Sequence, residues 1–223
     1  MRFEYLKSNY FDIKSSIKNE KVKLIAVSKT FPVEMINYLS SLGHLDFGES
    51  KAQELIKKYD ETEENKIKWH FIGNIQTNKL KYIVPKCEYI HSVYREKEMS
   101  IIDEISFKLN KIQKIFIEIN ISMEKSKSGI SEEAIENFLE SSVKFKNIKV
   151  VGFMTMAPFF DNSEETRAFF KKMKIIQRKY LSKYNTLTEL SMGMSNDYLI
   201  AIEEGATMVR VGSLIFGKRY YQK

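Results

Sequence analysis

Short apolar runs alternate with stretches of helical period from one end of the chain to the other. The runs at residues 23–27, 45–48, 68–72, 89–93, 114–121, 148–153, 188–191 and 208–211 have the length and polar boundaries of buried strands. Between them, Met35, Tyr38, Leu39 and Leu42 stand at i, i+3, i+4 and i+7, and Ile135, Phe138, Leu139 and Val143 keep a similar stripe. Phe169, Met173, Ile176 and Tyr180 continue the theme. Asp161 and Ser163, followed by Glu164 and Glu165, predict a helix start with acids in its first turn. An amphipathic segment at about residues 2–18 precedes the first strand.

Strict alternation of strand and helix argues for a parallel sheet with helical crossovers. Eight such steps in 223 residues fit a compact (β/α)8 barrel of the TIM type with an extra N-terminal helix, and an open doubly wound sheet is the alternative. With three prolines and no linker rich in Pro, Gly or Ser, residues 1–223 read as a single domain. A barrel places its chemistry on the loops that follow the strands.

Composition narrows the classes. Apolar residues make up 43% of the chain and charged residues 29%, which supports a full core and excludes collagen, coiled-coil rods and broad disorder. No stretch has the uninterrupted apolar length of a membrane span. Glu4 and Lys7 stand where a signal peptide needs apolar residues, and the lone Cys87 excludes an intramolecular disulfide, so the expected compartment is the cytoplasm. The sequon at Asn120 is then accidental. A net charge of +7 raises the question of nucleic acid, but only six of the 36 basic residues are arginine and the lysines are interleaved with 29 acids. The reading is a lysine-coated surface with no specific nucleic-acid partner.

Candidate chemistry sits on three loops. Lys29 emerges at the C-terminal end of the first strand, where apolar neighbours would lower an amine's pKa and free it to attack carbonyls; a lysine that simply ends a strand is the plain reading. The segments 191–197 and 210–213 follow strands seven and eight and combine Gly with Ser, as a phosphate cradle or as two ordinary tight turns. Residues 212–218 match the start of a P-loop, but Arg219 stands where the magnesium-binding hydroxyl is required, which rejects that site. His44, His70 and His91 show no metal-ligand spacing, and no Gly-x-Ser-x-Gly elbow occurs. Asp46, Glu49, His70 and Asn74 lie near strand ends and could line a mouth, with structural roles as the plain reading.

Seven motifs in order carry a resemblance. Val27-Ser28-Lys29-Thr30, Phe47-Gly48-Glu49, and Trp69-His70-Phe71-Ile72-Gly73 with Gln76 and Asn78-Lys79 come first. Asn120-Ile121-Ser122 with Lys127-Ser128-Gly129, and the stretch from Gly152 through Met154 to Pro158, follow. Ser191 to Ser195 and Val209 to Gly217 complete the set. Together they resemble the pyridoxal phosphate homeostasis protein family, which is similar to the N-terminal barrel of alanine racemase, the fold-type III barrel of pyridoxal phosphate (PLP) proteins. The resemblance implies that Lys29 forms the internal aldimine with pyridoxal 5′-phosphate. It implies that Ser191, Gly193, Ser195, Gly212 and Ser213 hold the phosphate and that Arg210 faces the pyridine nitrogen. His70, Ser50 and Met154, on matching motifs, are further implied cofactor contacts. Ser50 stands where the family usually has Asn, which leaves its polar contact shorter or missing. Phe31 stands where some members carry a second lysine, and Lys127 remains as an auxiliary amine.

The implied function is a carrier that regulates intracellular PLP without catalytic turnover, with PLP-requiring apo-enzymes as recipients and the monomer as its expected state. An arginine at the ring nitrogen disfavours the pyridinium, so the ring is a weak electron sink. An amino-acid racemase is the alternative. Racemisation needs acid–base groups on both faces of the α-carbon; in alanine racemase the second is a tyrosine associated with an added domain. The sequence ends at Lys223, soon after the eighth strand, so no such domain is expected. A phosphate-sugar barrel enzyme without PLP is a third reading.

Overall fold

In the computed structural model, which describes residues 3–124 and 126–217, eight parallel strands close into a barrel in chain order. They are β1 (Lys23–Val27), β2 (Asp46–Glu49), β3 (Lys68–Phe71), β4 (Cys87–Val93), β5 (Gln113–Glu118), β6 (Ile148–Met154), β7 (Glu189–Ser191) and β8 (Met208–Val211). β1 pairs with β2 at Ala26↔Phe47 and with β8 at Ile25↔Arg210, which closes the ring and excludes the open sheet. Every expected strand is present, with shifted ends. β4 starts at Cys87, and β5 stops at Glu118 although the apolar run continues to Ile121. There Asn120 turns the chain: its amide N–H donates to the Ile130 carbonyl, and its Nδ2 donates to the carbonyls of Glu124 and Lys127.

The crossover helices are α2 (Val33–Ser41), α3 (Ala52–Glu61), α4 (Leu80–Ile83), α5 (Glu96–Lys108), α6 (Ile135–Ser142), α7 (Arg167–Leu181) and α8 (Tyr198–Glu203). The start before α7 is capped by Asn162, whose side chain accepts from the Glu164 amide and opens a 3₁₀ turn. Asp161 and Ser163 do not cap it, because the Asx side chain one residue on has the extended backbone that a cap needs. After β8 only the one-turn α9 (Ser213–Phe216) follows within the described residues. The N-terminal helix α1 (Glu4–Ser16) packs against it and against α2, burying Leu6, Tyr10 and Ile13. Asn9 Nδ2 donates to the Ile215 carbonyl at 3.1 Å, and Ser16 Oγ lies 2.9 Å from the Tyr198 hydroxyl. Among the described residues no helix is long and apolar enough to cross a membrane. Residues 1–2 and the Lys218–Arg219 end of the rejected P-loop lie outside the described residues.

Strand alternation splits the core into two layers. Leu24, Ala26, Phe47, Trp69, Ile115, Ile117, Val209 and Val211 pack outward under the helices. Each buried Leu, Ile, Val or Phe among them contributes about 1.5–3 kcal/mol of transfer free energy. Inside the barrel the apolar filling is small: Ile25, Phe116, Val151, Met154 and Met208, with Tyr89 against them. Much of the remaining interior is polar, and it leads toward the C-terminal mouth.

Candidate functional site

The site is built from the ends of β1, β7 and β8, which are neighbours in the closed ring. Ile25 lies inside the barrel, and Val27 flanks the inward space at Gly48; Lys29 continues that parity, half-buried where β1 runs out. Its neighbours are clamped from outside. Ser28 Oγ donates to Glu49 Oε1 at 2.7 Å, and Lys58 Nζ donates to the same oxygen at 2.7 Å and to the Ser28 carbonyl at 2.8 Å. The Thr30 amide donates to Glu54 Oε2 at 2.7 Å and adopts the left-handed φ of 71°, uncommon for a β-branched residue. Burial pushes the Glu49 carboxyl up, opposed by Lys58 and Ser28. The turn bearing Lys29 is thus pinned on both sides.

The loops after β7 and β8 are bound together. The Arg210 amide donates to the Gly193 carbonyl at 3.0 Å, and the Gly212 amide donates to Ser195 Oγ at 3.2 Å. Asp197 Oδ1 accepts from the Met194 amide at 2.6 Å, folding residues 193–197 over the start of α8. Gly193 has φ +90°, and a Cβ there would lie 2.5 Å from the Ala201 Cβ, so only glycine lets this loop turn so close to α8. Ser213 starts α9 directly after Gly212.

Below these loops lies Arg210, buried and inward on β8. Its Nη1 donates to Ser191 Oγ at 2.7 Å and its Nη2 to the Thr155 carbonyl at 2.9 Å. Burial pulls the guanidinium down to about 10, opposed by the charges of Asp197 and Glu118. Glu118 ends β5; burial pushes its carboxyl up to about 7 even with Arg210 opposing. Ser191 Oγ also lies 2.9 Å from His91 Nδ1. His91 Nε2 lies 2.9 Å from His70 Nδ1, and His70 Nε2 lies 3.0 Å from Asp46 Oδ1.

The structure brings Lys29, Gly193, Ser195, Arg210, Gly212 and Ser213 to the β1, β7 and β8 ends. Ser191 belongs to the arginine: its hydroxyl is taken up by Arg210 and His91 rather than by the loop that holds Ser195. His70 departs from the expectation of a direct cofactor contact. It is fully buried, and both ring nitrogens are bonded within the barrel, so it reaches Arg210 only through His91 and Ser191. Met154 is inward and buried, part of the apolar floor with Ile25 and Met208. Ser50 lines a separate cleft of about 290 Å³ with Asn74, Gln76 and Lys79. Its carbonyl would lie 2.0 Å from a Cβ at residue 73, which demands glycine there. Glu118 and Lys58 go unmarked in the sequence, and His91, Thr155 and Asp197 fall among its named residues and motifs without the contacts found here. For His91 and Glu118 the inward parity of their strands is the signal that could have found them.

An arginine-bearing barrel with an amine on β1 and Gly/Ser loops after β7 and β8 is the alanine-racemase type of barrel, and the family model "Alanine racemase, N-terminal domain" matches residues 2–220. Within that class the chain belongs to the pyridoxal phosphate homeostasis protein family. It is 41% identical over 200 residues to the pyridoxal phosphate homeostasis protein of Aquifex aeolicus (strain VF5), covering 89% of this chain and 88% of that one. Among solved structures, PipY of Synechococcus elongatus PCC7942 without PLP superimposes with a TM-score of 0.90 at 30% identity, covering 95% of this chain and 100% of that chain. The same protein with PLP bound gives 0.88 at the same identity and coverage.

The residues present fit that cofactor by the chemistry of the donor set. A primary amine for an aldehyde, hydroxyl and glycine loops for a phosphate, and a buried guanidinium for a ring acceptor all lie on three adjacent strands.

Proposed function

We propose that this chain binds pyridoxal 5′-phosphate in the mouth of the barrel and holds it as a carrier that regulates the free cofactor, without catalytic turnover. Lys29 Nζ is the point of covalent attachment for the aldehyde. Ser195, Gly193, Gly212 and Ser213 take the phosphate. Arg210 takes the ring nitrogen, with Ser191 and the Thr155 carbonyl fixing the plane of its guanidinium. The bound cofactor supplies a reactive aldehyde and an electron-accepting ring; the chain decides how much of that capacity is used.

The observation that carries the reading is Arg210. A permanently cationic group facing the ring nitrogen disfavours its protonation, and an unprotonated ring stabilises carbanions poorly. Burial lowers the guanidinium only to about 10, so it stays charged near neutral pH. That favours storage of the aldehyde over transaminase or decarboxylase chemistry. Exposed Met123, Met156, Phe159, Met194 and Leu214 stand on the segments after β5 to β8 and offer a recipient apo-enzyme an apolar rim.

The test uses protein loaded with PLP. Absorbance of a lysine-bound cofactor is expected, and Lys29→Ala should abolish it. A panel of L-amino acids should give no D-enantiomer beyond the Lys29→Ala blank. Sustained Lys29-dependent racemisation overturns the carrier reading, and loaded Lys29→Ala protein with unchanged absorbance removes Lys29 from the site. Size-exclusion chromatography should return a monomer.

A further inference from the structure

Five side chains form one hydrogen-bonded row through the barrel: Asp46 on β2, His70 on β3, His91 on β4, Ser191 on β7 and Arg210 on β8. Their chemistry fixes the direction of every bond. A guanidinium can only donate, so Ser191 Oγ accepts from Arg210. At the far end a carboxylate can only accept, so His70 donates from Nε2. A neutral His70 then accepts at Nδ1, His91 donates from Nε2 and accepts at Nδ1, and the single hydroxyl proton of Ser191 fills that last bond.

Both imidazoles are held neutral. Burial lowers the two rings, His91 well below its ordinary value, and the Arg210 and Lys23 charges work the same way on His91. The Asp46 carboxyl sits below its ordinary value: burial raises it, and the hydrogen bond from His70 and the charge of Lys23 oppose that. The row therefore runs from a buried cation to an anion through three neutral groups whose dipoles all point the same way.

Asp46 is the first residue of β2, at the end of the barrel away from Lys29. It lies 3.6 Å from Lys23 Nζ and lines a cavity of about 660 Å³ with Lys14, Lys18 and Lys68. A carboxylate so placed could be satisfied by Lys23 alone. Its use as the terminus of a bonded row that ends on Arg210 needs another reason.

We propose that Asp46 is a positioning residue for the cofactor: through His70, His91 and Ser191 it orients the Arg210 guanidinium and offsets its charge, and so tunes how tightly and in what electronic state the ring is held. The proposal rests on the reading that PLP binds against Arg210, but the row itself is tested without cofactor.

Long-range proton–nitrogen NMR on the cofactor-free protein should show His70 and His91 both as neutral Nε2–H tautomers. An Nδ1–H tautomer or an imidazolium at either ring near neutral pH overturns the row. In loaded protein, Asp46→Asn keeps an acceptor for His70 and removes the charge. It should leave the tautomers in place, weaken PLP roughly fivefold or more, and shift the absorbance of the bound cofactor. Ser191→Ala, which cuts the row beside Arg210, should shift the cofactor absorbance in the same sense while His70 stays Nε2–H. Unchanged affinity and absorbance in both variants overturn the positioning role. If the wild-type protein takes up no PLP, the functional reading fails while the tautomers still decide the row.

Discussion

Lys58 Nζ lies 2.7 Å from Glu49 Oε1, an ion pair sealed on the outer side of the barrel against the residue that precedes Lys29. Two buried charges in one place call for a geometric role, because a well-packed apolar pair is often as stable. Here the same ammonium also holds the Ser28 carbonyl, and Glu54 holds the Thr30 amide, so the network fixes the turn that aims the amine. Glu49 Oε2 has no hydrogen-bond partner among the described residues, a cost accepted for that geometry.

Lys58→Met should therefore do two things. It leaves Glu49 buried without its cation, a loss of about 3–5 kcal/mol in unfolding free energy by denaturant titration. It also frees the Lys29 turn, so PLP retention should fall with Lys29 intact. Lys58→Met together with Glu49→Leu should recover much of the stability and little of the retention. Full recovery of both would show that the pair only packs.

Glu118 gives a pH dependence of defined sign. Its carboxyl titrates near 7 in the fold against an ordinary 4.5, so the folded state prefers the protonated form. Stability from this group is full below about 4.5 and is lost as pH rises through 7, about 3 kcal/mol in all. In cofactor-free protein, Glu118→Gln should gain on the wild type between pH 5 and about 8. Parallel stability curves would mean that Glu118 is ionised throughout.

The buried His44 acts in the opposite direction. Burial lowers it from 6.5 to about 4, with its Nε2 2.8 Å from the Asp46 carbonyl. A depressed imidazole contributes stability that is present above 6.5 and lost as pH falls toward 4. His44→Gln, which keeps a donor for that carbonyl, should flatten the acid limb of the stability curve. An unchanged limb would assign acid loss to the other depressed groups, His70, His91 and carboxyls such as Asp46.

The barrel was legible because it depends on repetition. Eight apolar runs separated by helical stripes survive errors of two or three residues at any one end, as at Cys87 and Glu118. The placement of Lys29, Gly193, Ser195, Gly212 and Ser213 at the barrel mouth was legible for a similar reason: they sit next to strand ends that periodicity locates. What stayed hidden depends on which side chains meet across the barrel. His91 and Ser191 are 100 residues apart and share a bond only because β4 and β7 face one another through the interior. Nothing local distinguishes His70 as a link in a row from His70 as a lining residue of the mouth. The Lys58 clamp was missed because a lysine on an amphipathic helix reads as solvated, and its burial follows from Glu49 ending β2 beneath α3.

Gly152 tests the closure of the ring. A Cβ there would lie 1.8 Å from the Glu189 carbonyl oxygen, a backbone atom that cannot move without shifting β7. Gly152→Ala should cost at least about 3 kcal/mol, beyond the usual range for overpacking, and should broaden amide exchange in β6 and β7 first. A loss below about 1 kcal/mol would mean that the two strands separate easily.

Ser195 separates phosphate recognition from loop stability. Its hydroxyl accepts from the Gly212 amide at 3.2 Å and thereby ties the β7 loop to the β8 loop. Ser195→Ala removes that bond, at a cost of about 1 kcal/mol to the fold. If the same hydroxyl also meets the phosphate, the variant should retain PLP less well while its hold on unphosphorylated pyridoxal changes little. The ratio of the two dissociation constants cancels any general loosening of the mouth, because on the proposed reading both ligands would use Lys29 and Arg210 alike. An equal fall for both would leave Ser195 as a tie between loops, and the phosphate would then rest on Ser213 and the glycine backbone. A selective fall for PLP would place the phosphate between the two loops, where Gly193 and Gly212 leave the backbone bare of side chains.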